Sequence, residues 1–144
     1  RSDQKSAKAM RLVVDTNVLV SGLLTPFGPP GVIVALIAGG RLRLCYDPRI
    51  LAEYDEVLRR PSFAFEETDV ASFLAQVRAQ GELVVPVPQS IRLPHVDDEP
   101  FLEVAEAAMV KFLVTGNLRH FPDGNWKTRI VSPRQLLDQF KDAG

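Results

Sequence analysis

Four short stretches of the chain carry side chains able to do chemistry. The first is "RLVVDTN", in which an apolar run delivers Asp15, Thr16 and Asn17 to one spot. The second is "PRILAEYDEVLRRP", with Glu53, Asp55 and Glu56; the third is "HVDDEPFLEVA", with Asp97, Asp98 and Glu99; the fourth is "FLVTGN", ending in Thr115, Gly116 and Asn117. Each has a plainer use. Asp, Thr and Asn favour helix N-caps, and an acid at a helix start complements the helix dipole. Three adjacent acids at 97–99, however, are more than one cap requires. Carboxylates gathered without basic partners repel and raise one another's pKa. The usual answer is a hard divalent cation, Mg2+ or Mn2+, held by oxygen ligands. Zinc is a poor candidate, because the single cysteine and the widely spaced His95 and His120 give no zinc spacing.

The elements that must position these residues follow from the hydrophobic pattern. Short runs at 11–15, 42–46, 83–87, 112–115 and 129–132 are apolar on both faces, which predicts parallel strands covered by helices. Helices are predicted over 17–22, 30–38, 48–60, 67–80, 99–110 and 133–141. Pro29-Pro30, Pro48 and Pro133 mark starts, and Gly39-Gly40 and Gly81 mark stops. The alternation predicts an α/β three-layer domain with a parallel central sheet of about five strands and right-handed crossovers. Ligands in such sheets bind outside the carboxyl ends of the strands, which is where Asp15 falls.

Helical phase narrows the choice of acids. At about 100° per residue, Ile50, Leu51, Tyr54, Val57 and Leu58 form a buried stripe. Glu56 then points to solvent, while Glu53 and Asp55 lie on the two rims and phase does not choose between them. In the next acidic helix Phe101, Leu102, Ala105, Ala108 and Met109 form the stripe, Asp98 lies at its mouth, and Glu103 and Glu106 point outward.

With 46% hydrophobic residues the 144-residue chain can bury one core, and no apolar run reaches the ~18 residues of a membrane span. Residues 1–9 are polar and aperiodic, and read as an expression-tag remnant before a natural start at Met10. They carry Arg1, Lys5, Lys8 and Asp3, a net of +2, so the total of −1 leaves −3 on residues 10–144. Bulk charge therefore does not attract nucleic acid; a metal ion or a local basic patch must do so. The lone Cys45, inside an apolar strand, fits a core position in a reducing cytoplasm.

The stretches "VVDTNVLVSGLL", "ILAEYDEVLRRP", "DDEPFLEVA" and "FLVTGNLRHFP" together resemble PIN-domain nucleases, in the order seen there. They are most similar to the VapC-type toxin components of bacterial toxin–antitoxin pairs, over residues 11 to about 137. The resemblance implies an Mg2+- or Mn2+-dependent endoribonuclease of RNA, a possible antitoxin protein as partner, and a homodimer. It assigns Asp15, Glu53 and Asp98 as catalytic acids and metal ligands, which selects Glu53 over Asp55. Asn117 falls where many members carry a fourth acid; an amide can ligate or orient water, but brings no charge. Thr16, after the first acid, and Thr115 are neighbours placed to position substrate or water. Arg119, His120, Lys127 and Arg129 surround the last strand within reach of phosphates, and Trp126 is available to stack on a base.

Two other classes compete. A degenerate PIN domain would bind RNA or protein without cutting, with Asn117 as its signature. A receiver-like phospho-acceptor domain would need paired acids after the first strand and a lysine after the last, where this chain has "VVDTN" and "SPRQ".

Overall fold

A computed structural model describes residues 9–86 and 90–143 of the chain. Five strands form one parallel sheet: β1 (Met10–Val14), β2 (Leu42–Tyr46), β3 (Glu82–Leu83), β4 (Phe112–Val114) and β5 (Arg129–Val131), in the order β3-β2-β1-β4-β5. Successive strand residues point to opposite faces. Leu12, Val13 and Val14 are all fully buried, as are all three residues of β4, so both faces of the sheet are covered. The cover comes from six helices: α1 (Thr16–Leu24), α2 (Pro29–Ala38), α3 (Pro48–Leu58), α4 (Glu67–Gln80), α5 (Glu99–Ala108) and α6 (Pro133–Ala143). Helix α5 packs on β1, β2 and β4, while α6 packs on β4 and β5 and also touches α2.

The strand order carries a functional consequence. From β1 the chain moves one way to β2 and β3, then returns past β1 to β4 and β5. The direction reverses between β1 and β4, and a crevice opens at the carboxyl ends of strands at such a reversal. Asp15 follows β1 and Thr115 follows β4, so both stand at that crevice. Their backbones are tied in series: Asp15 N–H donates to Val114 O (2.8 Å) and Thr115 N–H to Val131 O (3.0 Å).

Five strands and six helices match the expected elements, with two differences. The strand expected over 83–87 is only Glu82–Leu83, continued by one bond from Val84 N–H to Tyr46 O (2.8 Å); residue 87 lies outside the described residues. Pro86 has no N–H for a ladder, and among the described residues β3 is an edge strand with no second neighbour. Met109, expected in the α5 stripe, is 86% exposed, while Val104 is buried in its place. The helix stops at Ala108, and Met109 takes a left-handed backbone (φ 58°) that swings its side chain off the helix face.

No single helix among the described residues is long and apolar enough to cross a membrane; α1 and α2 are the most apolar pair, and they bend by 100° at their break. Their crossing depends on missing side chains. A Cβ on Gly31 would lie 2.1 Å from Pro26 O, and one on Gly22 would lie 2.6 Å from Pro30 O. Both obstacles are backbone, so neither can step aside. Gly31→Ala is therefore expected to destabilise the fold by about 2 kcal/mol or more, in the range of overpacked cores. Urea melts check this, and an unchanged midpoint would show that the α1–α2 crossing tolerates a methyl group.

Candidate active site

Strand β1 ends at Val14 and Asp15 follows as the residue before α1, and α1 takes no capping bond from its side chain. The carboxylate, only 5% exposed, instead faces across to β4. Thr115 Oγ1 donates to Asp15 Oδ2 (2.8 Å), and Asn17 Nδ2 approaches the same oxygen at 3.4 Å. Asn17 also accepts from Gly116 N–H (3.1 Å), and Asn117 N–H donates to Thr115 Oγ1 (3.0 Å). Asn17 thus staples the exits of β1 and β4 together. Nothing local in the sequence marks Asn17 for this task beyond its place two residues after an acid at a strand exit.

Glu53 arrives from α3. Asp47 caps that helix through Ile50 N–H (3.0 Å), and Pro48 opens it. Its buried stripe includes Tyr54, whose hydroxyl donates to Val14 O (2.6 Å), one residue before Asp15. That bond fixes the phase of α3 against β1, so the preceding residue, Glu53, meets Thr16, whose Oγ1 donates to Glu53 Oε2. Asp55, the other rim acid, pairs with Arg59, and Glu56 pairs with Arg60. Phase alone left Glu53 and Asp55 equal; the structure brings Glu53 to the crevice and ties Asp55 to Arg59.

Asp98 ends a single 3-10 turn (Val96–Asp98) that leads into α5, and its side chain makes no capping bond. It meets His120 instead, with Nδ1 and Oδ2 3.0 Å apart. The neighbouring acid Glu99 is used locally, accepting from Leu93 N–H (3.0 Å).

The charges of these three acids are weakly compensated. Burial pushes Asp15 up to about 6; the Thr115 hydrogen bond opposes this, and the charges of Asp98 and Glu53 add to it. Burial also raises Glu53, against the Thr16 bond and together with the charges of Asp97 and Asp98. Asp98 is raised by burial, and His120 and His95 oppose it. Among the described residues no lysine or arginine forms an ion pair with any of the three. The other oxygen of each acid takes no side-chain hydrogen bond there.

The donor set therefore suits a hard divalent cation in chemistry: all oxygen, anionic and mutually repelling. In position it is open. Among the described residues no three His, Cys, Asp or Glu side chains are gathered closely enough to enclose an ion as they stand. Like charges with no cation between them have no reason to close up.

The remaining expected site residues are more dispersed. Asn117 and Arg119 are exposed, and with Gly116, His120 and Ser132 they line an open cleft of about 490 Å3 beside Asp98's partner histidine. The Arg129 guanidinium lies 5.5 Å over the Phe112 ring. Trp126 is partly buried against the core. Glu106 was expected to face solvent, yet it accepts from Lys127 N–H, Thr128 N–H and Thr128 Oγ1. It fixes the loop entering β5, a contact between distant segments that helical phase does not reveal. A separate cleft of about 410 Å3 beside Asp47 and Glu103 has its acids matched by Arg49.

An α/β sheet with one buried acid and two half-buried acids at its reversal point is an arrangement suited to hydrolytic chemistry at a strand exit. Residues 11–119 match the family described as PIN domain, a span that contains all four catalytic positions inferred from the sequence. No curated protein matches the chain. The chain belongs to the PIN domain family. PIN domains are generally nucleases, hydrolases of phosphodiester bonds, and typically use divalent metal ions.

The raised pKa of Asp15 has a thermodynamic sign. The native state binds this proton more tightly than the unfolded chain does, from the ordinary 3.8 up to about 6. The stabilisation is present below the unfolded pKa and is lost as pH rises through about 6, a change on the order of 3 kcal/mol. In EDTA, wild-type stability is expected to fall as pH rises from 3.8 to about 6 and to level off above that, and Asp15→Asn to remove much of that fall. Denaturant melts of both proteins across this range check it; parallel curves would mean that Asp15 is not strained by its burial.

Proposed function

We propose that the chain is a divalent-metal-dependent endoribonuclease whose centre is formed by Asp15, Glu53 and Asp98. The observation that carries the reading is that Asp15, Glu53 and Asp98 face the β1/β4 crevice within range of one another's charge, and that their side-chain partners there are neutral hydroxyls, an amide and an imidazole. Acids left without a basic partner in this way cluster at functional sites, whereas a buried acid is ordinarily paired with a base. The family supplies the reaction class, and the donor set supplies Mg2+ or Mn2+ as the cofactor.

In this reading Asp15, Glu53 and Asp98 hold the cation. Bound there, it would polarise a phosphodiester oxygen and lower the pKa of a water poised for in-line attack. The chain's own residues set the frame. Thr115 and Thr16 each hold one oxygen of an acid and leave the other for the ion. Thr115 is itself fixed by Asn117 N–H, so the β4 exit is rigid on both sides of the acid. Asn117 and Arg119 line the open cleft, where an amide and a guanidinium would orient a phosphate. Acid–base cleavage by two flanking histidines finds no support, because His95 and His120 stack on each other with ring centroids 4.0 Å apart.

The order of the four motifs, similar to VapC-type ribonucleases, supports the finer role of toxin in a toxin–antitoxin pair, with an antitoxin protein and a second copy of the chain as partners. Induced expression in a bacterial host then arrests growth for wild type and not for Asp15→Asn. Equal growth would refute the toxin role and leave the nuclease reading standing.

The second reading, a PIN domain that binds RNA without cutting, is favoured by Asn117 alone. Cleavage of single-stranded RNA titrated with Mn2+ separates the two. Wild type is expected to cut in a metal-dependent way, and Glu53→Gln to lose on the order of 100-fold in rate. Glu56→Gln is expected to stay within about twofold, as for an exposed surface change. Asn117→Asp adds a carboxylate and should tighten metal binding. If wild type is inert at every metal concentration while Asn117→Asp cuts, the chain is the binding module and the enzyme reading falls.

A further inference from the structure

The chain has two histidines, and both sit at the acidic centre. His120 ends a short 3-10 turn (Leu118–His120) after β4, held by its own N–H to Asn117 O (3.0 Å). His95 precedes the turn that carries Asp98, and its carbonyl accepts from Asp98 N–H (3.0 Å). Their rings lie against each other with centroids 4.0 Å apart and a 32° tilt, a contact between the loop before α5 and the loop after β4. Asp98, at the start of α5, leaves the helix uncapped and turns to His120 Nδ1 instead. A carboxylate only accepts, so Nδ1 carries the hydrogen in this pair.

The three acids share a pattern. Asp15 is held at Oδ2 by the Thr115 hydroxyl, Glu53 at Oε2 by the Thr16 hydroxyl, and Asp98 at Oδ2 by the His120 ring. In each, a donor other than lysine or arginine takes one oxygen. A fixed lysine or arginine in its place would satisfy the charge and compete with an ion for it. Carboxylates that bind metals are commonly held in this way, and losing the outer partner costs about 10–100-fold in affinity.

We propose that His120 is a positioning residue of the metal centre: its Nδ1–H holds Asp98 Oδ2 and leaves Oδ1 for the cation, with the stacked His95 fixing the plane of the ring. The proposal rests on the metal-dependent reading above. It gives His120 Nδ1 a task separate from phosphate contact, which would fall to Nε2.

Electron paramagnetic resonance of free Mn2+, titrated against metal-depleted protein, tests it without any activity measurement. His120→Ala should weaken Mn2+ binding by about 10–100-fold. His120→Asn places an amide N–H near the Nδ1 position and should regain most of the affinity. His120→Gln places it near Nε2 and should not. Wild-type affinity, or tighter binding, in His120→Ala overturns the proposal. A loss that Asn rescues no better than Gln also overturns it, because packing rather than the hydrogen bond would then be at work. Should the alanine variant fail to fold, the contrast between Asn and Gln decides by itself. If wild type binds no Mn2+, the metal reading falls and takes this proposal with it, an outcome distinct from tight wild-type binding that ignores His120.

Discussion

The hydrogen bond from Thr115 to Asp15 is the contact on which the rest of the site depends. It joins the exits of β1 and β4 at the point where the sheet reverses direction, and it is one of the few interactions that make the Asp15 charge tolerable at 5% exposure. A neutral hydroxyl lessens the cost of burying a carboxylate but does not remove it, so Asp15 is held at about 6. Glu53 and Asp98 add their fields to the same crevice. Around this strained core the scaffold is rigid: Tyr54 bonds Val14 O, Asn17 bridges to Gly116, and Asn117 N–H bonds Thr115. The fold supplies fixed geometry for charges that it does not itself neutralise.

Asp47 shows what a structural acid looks like in the same fold. It also follows a strand, β2, and it is more deeply buried than Asp15, at 2% exposure. Yet its carboxylate caps α3 at Ile50 N–H and pairs with Arg49 at 2.7 Å. Glu82 is likewise matched by Arg11, and Glu106 by three donors of the β5 loop. The chain has the means to satisfy its acids and does so at these positions. At the β1/β4 crevice it uses threonines and a histidine, which is why that cluster reads as a site rather than as an accident of composition.

Much of this was legible in the residues. Runs apolar on both faces gave the parallel sheet, and proline and glycine marked helix ends, because both signals are local. Asp15 and Asp98 were legible as candidates, but whether they capped helices was not, since a cap and a free carboxylate share one sequence. Glu53 and Asp55 were equal in helical phase; a bond from Tyr54 to a strand 40 residues earlier separates them. The tasks of Asn17, Glu106 and His120 depend on contacts across 99, 21 and 22 residues, which no periodicity encodes. Edge strand β3 fell short of its pattern because Pro86 and the missing neighbour outweigh β-propensity.

On the proposed function, the carboxylates of the β1/β4 crevice hold a divalent cation, although as they stand they are too far apart to form a cage. Anomalous X-ray scattering from crystals soaked in Mn2+ tests this most directly. The expected result is a peak bounded by Asp15, Glu53 and Asp98, with the three carboxylates drawn toward it. A crystal saturated with Mn2+ that shows no peak there, or shows one only in the cleft between Asp47 and Glu103, would contradict it.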